Sequence, residues 1–211
     1  MWPPAALEFL TELEANNDRD WFRANRARYE RDLVEPGRQL AAALAHLGQP
    51  HFFRPYNNLR FRPGPPLKEN FAIAIGYGGG GGYYFDLSLD GLLVAAGIHA
   101  PASDQLERYR AAIDNYRLAR GFERAIRAAE AGGLQTAPPE LKRAPKGYPI
   151  DHPRIERLRI KELTVFRRDE LGPWLHEPSC TERIRARLDA ARPLVRWLGE
   201  HVGPSMRPRR A

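Results

Sequence analysis

The stretch FAIAIGYGGGGGYYFDLSLDGLLVAAGI, residues 71–98, most strongly constrains what this chain can fold into. Its apolar and alternating residues predict three strands, at 71–77, 83–89 and 92–98. Five consecutive glycines connect the first two strands, and an Asp-Gly pair, typical of a tight hairpin turn, connects the last two. Because parallel neighbours need long crossovers, connections this short predict an antiparallel sheet.

The segments around this stretch add two short strands and several helices. Helical spacing of apolar residues, cap residues and glycine or proline stops mark the helices. The sequence thus predicts an α+β fold, with a central antiparallel sheet of about four to five strands packed with N-terminal, middle and C-terminal helices. The added strands are expected at 59–62 and 162–167, and the helices at 5–14, 17–34, 39–47, 103–131 with a break at Gly121, 155–158 and 180–202.

The chain of 211 residues is long enough to bury one core. We expect a single domain over residues 5–202 and a disordered basic tail over 203–211. The apolar runs are too short to span a bilayer and the start lacks a basic, apolar leader, so we expect a cytoplasmic location and no membrane partner. The lone Cys180 excludes an intrachain disulfide, and the histidines lack metal-ligand spacing. We predict no metal and no cofactor, and leave the oligomeric state open.

A formal net charge of +7 favours anionic partners, either a small molecule or nucleic acid. Of the 33 basic residues, however, 29 are arginine, which is typical of a GC-rich genome. The excess charge therefore has a second interpretation, in which it only decorates the surface.

The segment NNLRFRPGPPLKENFAIAIG contains the first candidate site, Arg60 and Lys68. The two cations flank a proline-glycine turn, and a planar guanidinium with a mobile ammonium is a good anion clamp. On a strand at 59–62, Arg60 and Arg62 share one face. The alternative is a solvated face that pairs with acidic residues.

A second basic segment carries the other candidate ligand-binding residues, Lys142, Arg143, Tyr148 and Lys161. From residue 142 to residue 168 it contains nine Lys or Arg and three Asp or Glu. The ring of Tyr148 has the chemistry to stack on a base or sugar. The alternative is a solvated loop held by its prolines.

Catalytic candidates lie in the same segment: His152, Asp151 and Tyr148. A carboxylate that orients an imidazole is a general-base arrangement. Pro153 restricts the backbone of His152, however, and Asp151 has an alternative role as the cap of the following helical turn.

Four segments resemble the domain-of-unknown-function 2461 family of bacterial and fungal proteins. They are FLTELEANNDRDWFRANRARYERDLVEP, NNLRFRPGPPLKENFAIAIG, GIHAPASDQLERYRAAID and LKRAPKGYPIDHPRIERLRIKELTVFR, which cover most of residues 7–168. The resemblance implies an α+β domain and no known activity. Arg60, Phe61, Pro66 and Lys68 match the family's pattern, whereas Asn58, the turn at 62–65 and Leu67 depart from it.

Three functions fit these observations. The first is binding of a phosphate-bearing or nucleic-acid ligand in a cationic cleft, where Arg60 and Lys68 meet the 142–161 segment. The second is an enzyme that acts on a phosphorylated or carboxylate substrate with Tyr148 and His152 in its site. The third is an interaction protein without catalysis.

Overall fold

The computed structural model of the protein describes residues 1–60 and 63–207. It confirms the α+β class, with one antiparallel sheet of six strands accompanied by helices. The strands are β1 Pro50–Phe52, β2 Asn70–Ile75, β3 Gly82–Ser88, β4 Gly91–Ile98, β5 Gln135–Thr136 and β6 Leu163–Asp169. The helices are α1 Pro4–Ala15, α2 Arg19–Tyr29, α3 Glu35–Ala43, α4 Ser103–Asp114, α5 Tyr116–Ala131, α6 Ile155–Leu158, α7 Ser179–Ala190 and α8 Arg192–His201.

The sheet has the strand order β1-β2-β3-β4-β6-β5. The predicted strand at 59–62 is wrong in its described part, because Leu59 and Arg60 lie in a turn, while Phe61 and Arg62 lie outside the described residues. The strand that pairs with β2 is β1 instead, with His51 opposite Ala74. Two prolines, Pro50 and Pro55, obscure β1 in the sequence, since proline is tolerated only at strand ends and sheet edges.

The chain packs into two compact units. The first contains Met1–Ile75, Tyr84–Val94 and Arg168–Arg185, and the second contains Gly76–Tyr83, Ala95–Arg167 and the chain from residue 186 onward. The predicted single domain over 5–202 stays a prediction.

Aromatic rings form the core of the first unit. Trp2 is buried and stacks on Phe85 with ring centres 5.5 Å apart, while Phe9 contacts the rings of both Phe22 and Tyr29. Asp18 caps α2, since its side chain accepts two backbone N–H groups at 2.8 Å. This cap fixes where α2 begins.

The core of the second unit is built around Tyr109, Phe122 and Trp197, whose rings meet edge to face. The predicted helix break at Gly121 is wrong, because α5 runs through it. The break lies at Asn115, whose side chain accepts from two backbone N–H groups and so caps α5. A side-chain cap at this position satisfies the free N–H groups of a new helix, which a glycine cannot do.

Residues 203–207, part of the predicted disordered tail, are joined to α4 by hydrogen bonds in the second unit. Residues 208–211 of that tail lie outside the described residues. Over 1–60 and 63–207, none of the helices is both long enough and apolar enough to cross a membrane.

Candidate functional site

A two-stranded ribbon, formed by residues 53–57 and 66–68, continues from the edge of the sheet in the first unit. The backbone N–H of Lys68 donates to the carbonyl of Pro55 at 2.7 Å. The backbone N–H of Asn57 also donates across the ribbon, at 2.9 Å. The ribbon therefore holds the backbone on both sides of the proline-rich turn.

Leu67 anchors this ribbon to the helices of the first unit. Its side chain is fully buried, and its backbone N–H donates to the side-chain oxygen of Asn17 at 3.0 Å. The amide of Asn17 donates in return to the carbonyl of Leu67 at 3.1 Å. Because neighbouring side chains of an extended segment point in opposite directions, an inward Leu67 turns Lys68 toward the other face.

Lys68 faces an open pocket of about 200 Å³ in the first unit. The Lys68 ammonium lies 5.3 Å from the centre of the Phe53 ring, and the rings of Phe53 and Tyr84 meet edge to face at 6.0 Å. The pocket thus combines aromatic walls with cationic and polar groups. Its lining residues are Phe53, Arg54, Lys68, Asn70, Ala72 and Tyr84.

Two cations, Lys68 and Arg54, line this pocket. Within the described ranges, neither Lys68 nor Arg54 has a carboxylate at ion-pair distance. Partial burial lowers the pKa of Lys68, and the positive charge of Arg54 lowers it further. The pocket is therefore electropositive, and an anion would relieve the repulsion between its two cations.

A buried carboxylate supports the polar wall of the pocket. Asp86 is buried and accepts hydrogen bonds from the Asn70 amide and, at 3.2 Å, from the Tyr84 hydroxyl. Burial raises the pKa of Asp86, and these two hydrogen bonds partly oppose that effect. Burial also raises the pKa of Tyr84, as does the nearby Asp86. Tyr84 consequently stays a neutral hydrogen-bonding group, and the positive charge of the pocket comes from Lys68 and Arg54.

Arg60 does not line this pocket. It is exposed in the turn that connects the two segments of the ribbon, where its backbone N–H donates to the Asn58 side chain at 3.3 Å. The residue that lies beside Lys68 is Arg54, which sequence reasoning missed. Its signal was the run FFRPY, in which aromatic residues flank one arginine, but without β1 nothing in the sequence joined it to Lys68.

The basic segment predicted at 142–161 lies in the second unit. Lys142, Arg143 and Lys161 are all exposed, and the backbone N–H of Lys161 donates to the Glu140 carboxylate at 3.2 Å. Over the described parts of the chain, the side chains of these three cations have no carboxylate at ion-pair distance. The cleft predicted between these residues and Lys68, which belongs to the first unit, stays a prediction.

Among the catalytic candidates, His152 already has a hydrogen-bond partner at each of its two ring nitrogens. Nε2 of His152 lies 3.0 Å from the Asp114 carboxylate, and Nδ1 accepts the backbone N–H of Arg154 at 3.1 Å. These partners assign the proton to Nε2, and they leave no free ring nitrogen for a substrate. Tyr148 contacts the His152 ring edge to face at 6.1 Å, whereas Asp151 is exposed. The geometry favours a structural role, in which His152 joins its loop to the end of α4.

In the described part of the chain, no three His, Cys, Asp or Glu side chains lie together as metal ligands would. Comparisons with curated proteins and with solved structures found no match for this chain. A family model described as a conserved hypothetical protein, DUF2461, matches residues 5–197. This match spans nearly the whole chain and confirms the resemblance drawn from the four motifs, so the chain belongs to the DUF2461 family.

Proposed function

We propose that this protein binds an anionic group, a phosphate or a carboxylate, in the pocket between Lys68 and Arg54. The observation that carries the proposal is the pair of close cations without a carboxylate partner among the described residues. Two close cations repel each other, and an anion bound between them would relieve this repulsion. Such electropositive recesses are candidates for functional sites.

The size of the pocket sets the size of the group that it takes. At about 200 Å³ it is smaller than the pockets that enclose a whole drug-sized ligand. It suits a single anionic group, with Lys68 as a point charge and Arg54 as a planar donor. The Asn70 amide and the aromatic walls of Phe53 and Tyr84 complete the surroundings. A larger ligand would extend beyond the pocket.

Binding is supported better than catalysis. Of the groups at the pocket, Tyr84 keeps its proton and Asp86 is buried behind the wall. His152 has both ring nitrogens engaged. We therefore propose a binding function, and we retain the basic segment with Lys142, Arg143, Tyr148 and Lys161 as a proposed extension of the site.

Isothermal titration with inorganic phosphate and pyrophosphate tests this proposal. We expect Lys68→Met to weaken binding about tenfold or more, because it removes a hydrogen bond from a charged donor. The thermal midpoint should stay nearly unchanged or rise, since Met retains the apolar stem without the cost of desolvating the ammonium.

The control variant is Arg185→Met, which removes an exposed cation of the first unit that already pairs with Glu182. Its affinity should equal that of the wild type. A Lys68→Met protein that binds phosphate as tightly as wild type would contradict the proposal. The variant Lys161→Met tests the proposed extension separately, since it weakens binding only if that lysine reaches the same anion.

A further inference from the structure

A second cationic pocket, of about 420 Å³, lies on the outer face of α2. Arg19, Arg23 and Arg26 follow one another at spacings of four and three residues, which places them on one face of the helix. They line this pocket together with Tyr56, which belongs to the ribbon. All four residues lie in the first unit. The pocket thus combines three guanidinium groups with one aromatic ring.

The ring of Tyr56 lies beside these arginines, fixed on one side by a neighbouring ring and exposed on the other. It remains 44% exposed. Its ring contacts Phe22 edge to face at 5.8 Å, and its backbone pairs with Leu67. A ring that is anchored on one side and open on the other is a stacking platform, because little conformational freedom remains to be lost when a flat partner binds.

The three arginines of α2, Arg19, Arg23 and Arg26, are here called the arginine row, and they can still bind phosphate groups. Within residues 1–60 and 63–207, Arg19 has no carboxylate at ion-pair distance. Arg23 pairs with Asp20 at 3.0 Å and Arg26 with Glu30 at 3.9 Å, but both pairs are largely exposed. Exposed pairs of this kind contribute little, so a phosphate can replace the carboxylate at small cost.

The two pockets are joined by one extended segment of the chain. Arg54 and Phe53 line the Lys68 pocket, and Tyr56 lines the arginine pocket. Three residues of extended chain span at most about 11 Å. Because Tyr56 is the cross-strand partner of the inward Leu67, its ring lies on the opposite face of the ribbon from Lys68, and a ligand that reaches both pockets passes over the edge of the ribbon. Each pocket combines cations with an exposed ring: Lys68 and Arg54 with Phe53, and the three arginines of α2 with Tyr56.

We infer that the ligand of this surface is single-stranded nucleic acid. The inference rests on the proposed function, since one phosphate of the strand would occupy the Lys68 pocket. Single strands are bound by cationic grooves that follow the backbone and by aromatic rings on which bases stack. A duplex keeps its base faces stacked inside, so Tyr56 would have nothing to stack on. A single phosphate would fill only one of the two pockets.

Fluorescence anisotropy of the full chain with an oligothymidylate of about 12 nucleotides tests this inference. We expect Tyr56→Ala to weaken binding about 5- to 150-fold, which is the loss of one stacked base. Tyr56→Phe should bind like the wild type, because it keeps the ring. A duplex of equal length should bind more weakly than the single strand.

The salt dependence tests the arginine row. For the double variant Arg19→Ala and Arg23→Ala, the slope of log affinity against log salt should fall by up to about 1.4, since each phosphate contact to a single strand contributes about 0.7. The matched control is Arg183→Ala with Arg185→Ala, which removes the same charge from α7 and should leave the slope unchanged.

The titrations with inorganic phosphate separate this inference from the proposed function. If phosphate binding depends on Lys68 but the oligonucleotide does not bind, or binds independently of Tyr56 and the arginine row, the inference is wrong and the proposed function stands. If Lys68→Met leaves phosphate binding intact, the proposed function fails, and the inference that depends on it fails with it. Equal affinity for duplex and single strand would also overturn the inference.

Discussion

At the scale of single residues, burial and a neighbouring positive charge both act on Lys68. The unfolded chain titrates a lysine near pH 10.4, and the pocket lowers the pKa of Lys68 below that value. Between the two values the unfolded state binds more protons, so the stability of the protein rises with pH in that window. The cationic form of Lys68 is therefore mildly unfavourable in the empty pocket.

A bound anion reverses this balance, because an opposite charge favours the ammonium. We expect the affinity for phosphate to fall as the pH rises through the lowered pKa of Lys68, in titrations above about pH 8, where phosphate keeps a constant charge. In Lys68→Arg the affinity should persist to higher pH, since a guanidinium stays charged. Identical pH profiles for the two proteins would show that Lys68 does not contact the anion.

At the scale of elements, the pairing of strands depends on close backbone approach. Gly97 in β4 has a φ of 127°, and a Cβ placed there would lie 2.1 Å from the carbonyl oxygen of Leu163 in β6. No other residue type fits this contact without moving a strand.

We expect Gly97→Ala to destabilise the protein by more than about 1 kcal/mol from backbone strain alone, with the clash adding to this. Chemical denaturation measures the change. The matched control is Gly199→Ala in α8, where a Cβ meets nothing within 4 Å and alanine favours the helix. A Gly97→Ala protein as stable as wild type would mean that β4 and β6 do not approach as described.

At the scale of the whole molecule, residues 203–206 near the end of the described chain bind to α4 in its middle. The carboxylate of Asp104 in α4 accepts the backbone N–H of Met206 and the hydroxyl of Ser205, both at 2.8 Å. Gln105 donates to the carbonyls of Gly79 and Gly203, at 2.7 and 2.8 Å. These contacts join α4, the glycine run and residues 203–206 within the second unit.

The hydrogen bond from the Met206 N–H, followed by those from Ser205 and Arg108, lowers the pKa of Asp104. The lowered pKa of Asp104 adds to the free energy of unfolding. This added stability is fully present above the unfolded pKa, about 3.9, and is lost as the pH falls through the lower folded pKa. We expect Asp104→Asn to speed hydrogen exchange across residues 203–206 at neutral pH. Glu130→Gln on α5 is the control, and unchanged exchange in Asp104→Asn would contradict the contact.

The strands and helices that the sequence predicts correctly are those set by interactions between residues close together in the chain. The glycine run and the Asp-Gly turn required antiparallel neighbours, and helical spacing marked the helical stretches at 103–131 and 180–202. It did not mark the breaks that separate α4 from α5 and α7 from α8. Those signals act within a few residues. Gly121 misled the prediction because glycine is only a weak helix breaker, and the Asn115 cap decided the boundary instead.

The sequence by itself determined the α+β class, the antiparallel sheet and the family, because each depends on local pattern or motif; the role of Lys68 in binding stays a prediction. Only the tertiary structure decided that β1 forms the sheet edge and that Arg54, rather than Arg60, accompanies Lys68. It also brought Tyr56 to the arginine row of α2. The physical reason is that these pairings depend on the buried Leu67 and its hydrogen bonds to Asn17, a contact between residues 50 positions apart. The helix, strand and turn preferences of neighbouring residues do not indicate such a long-range contact.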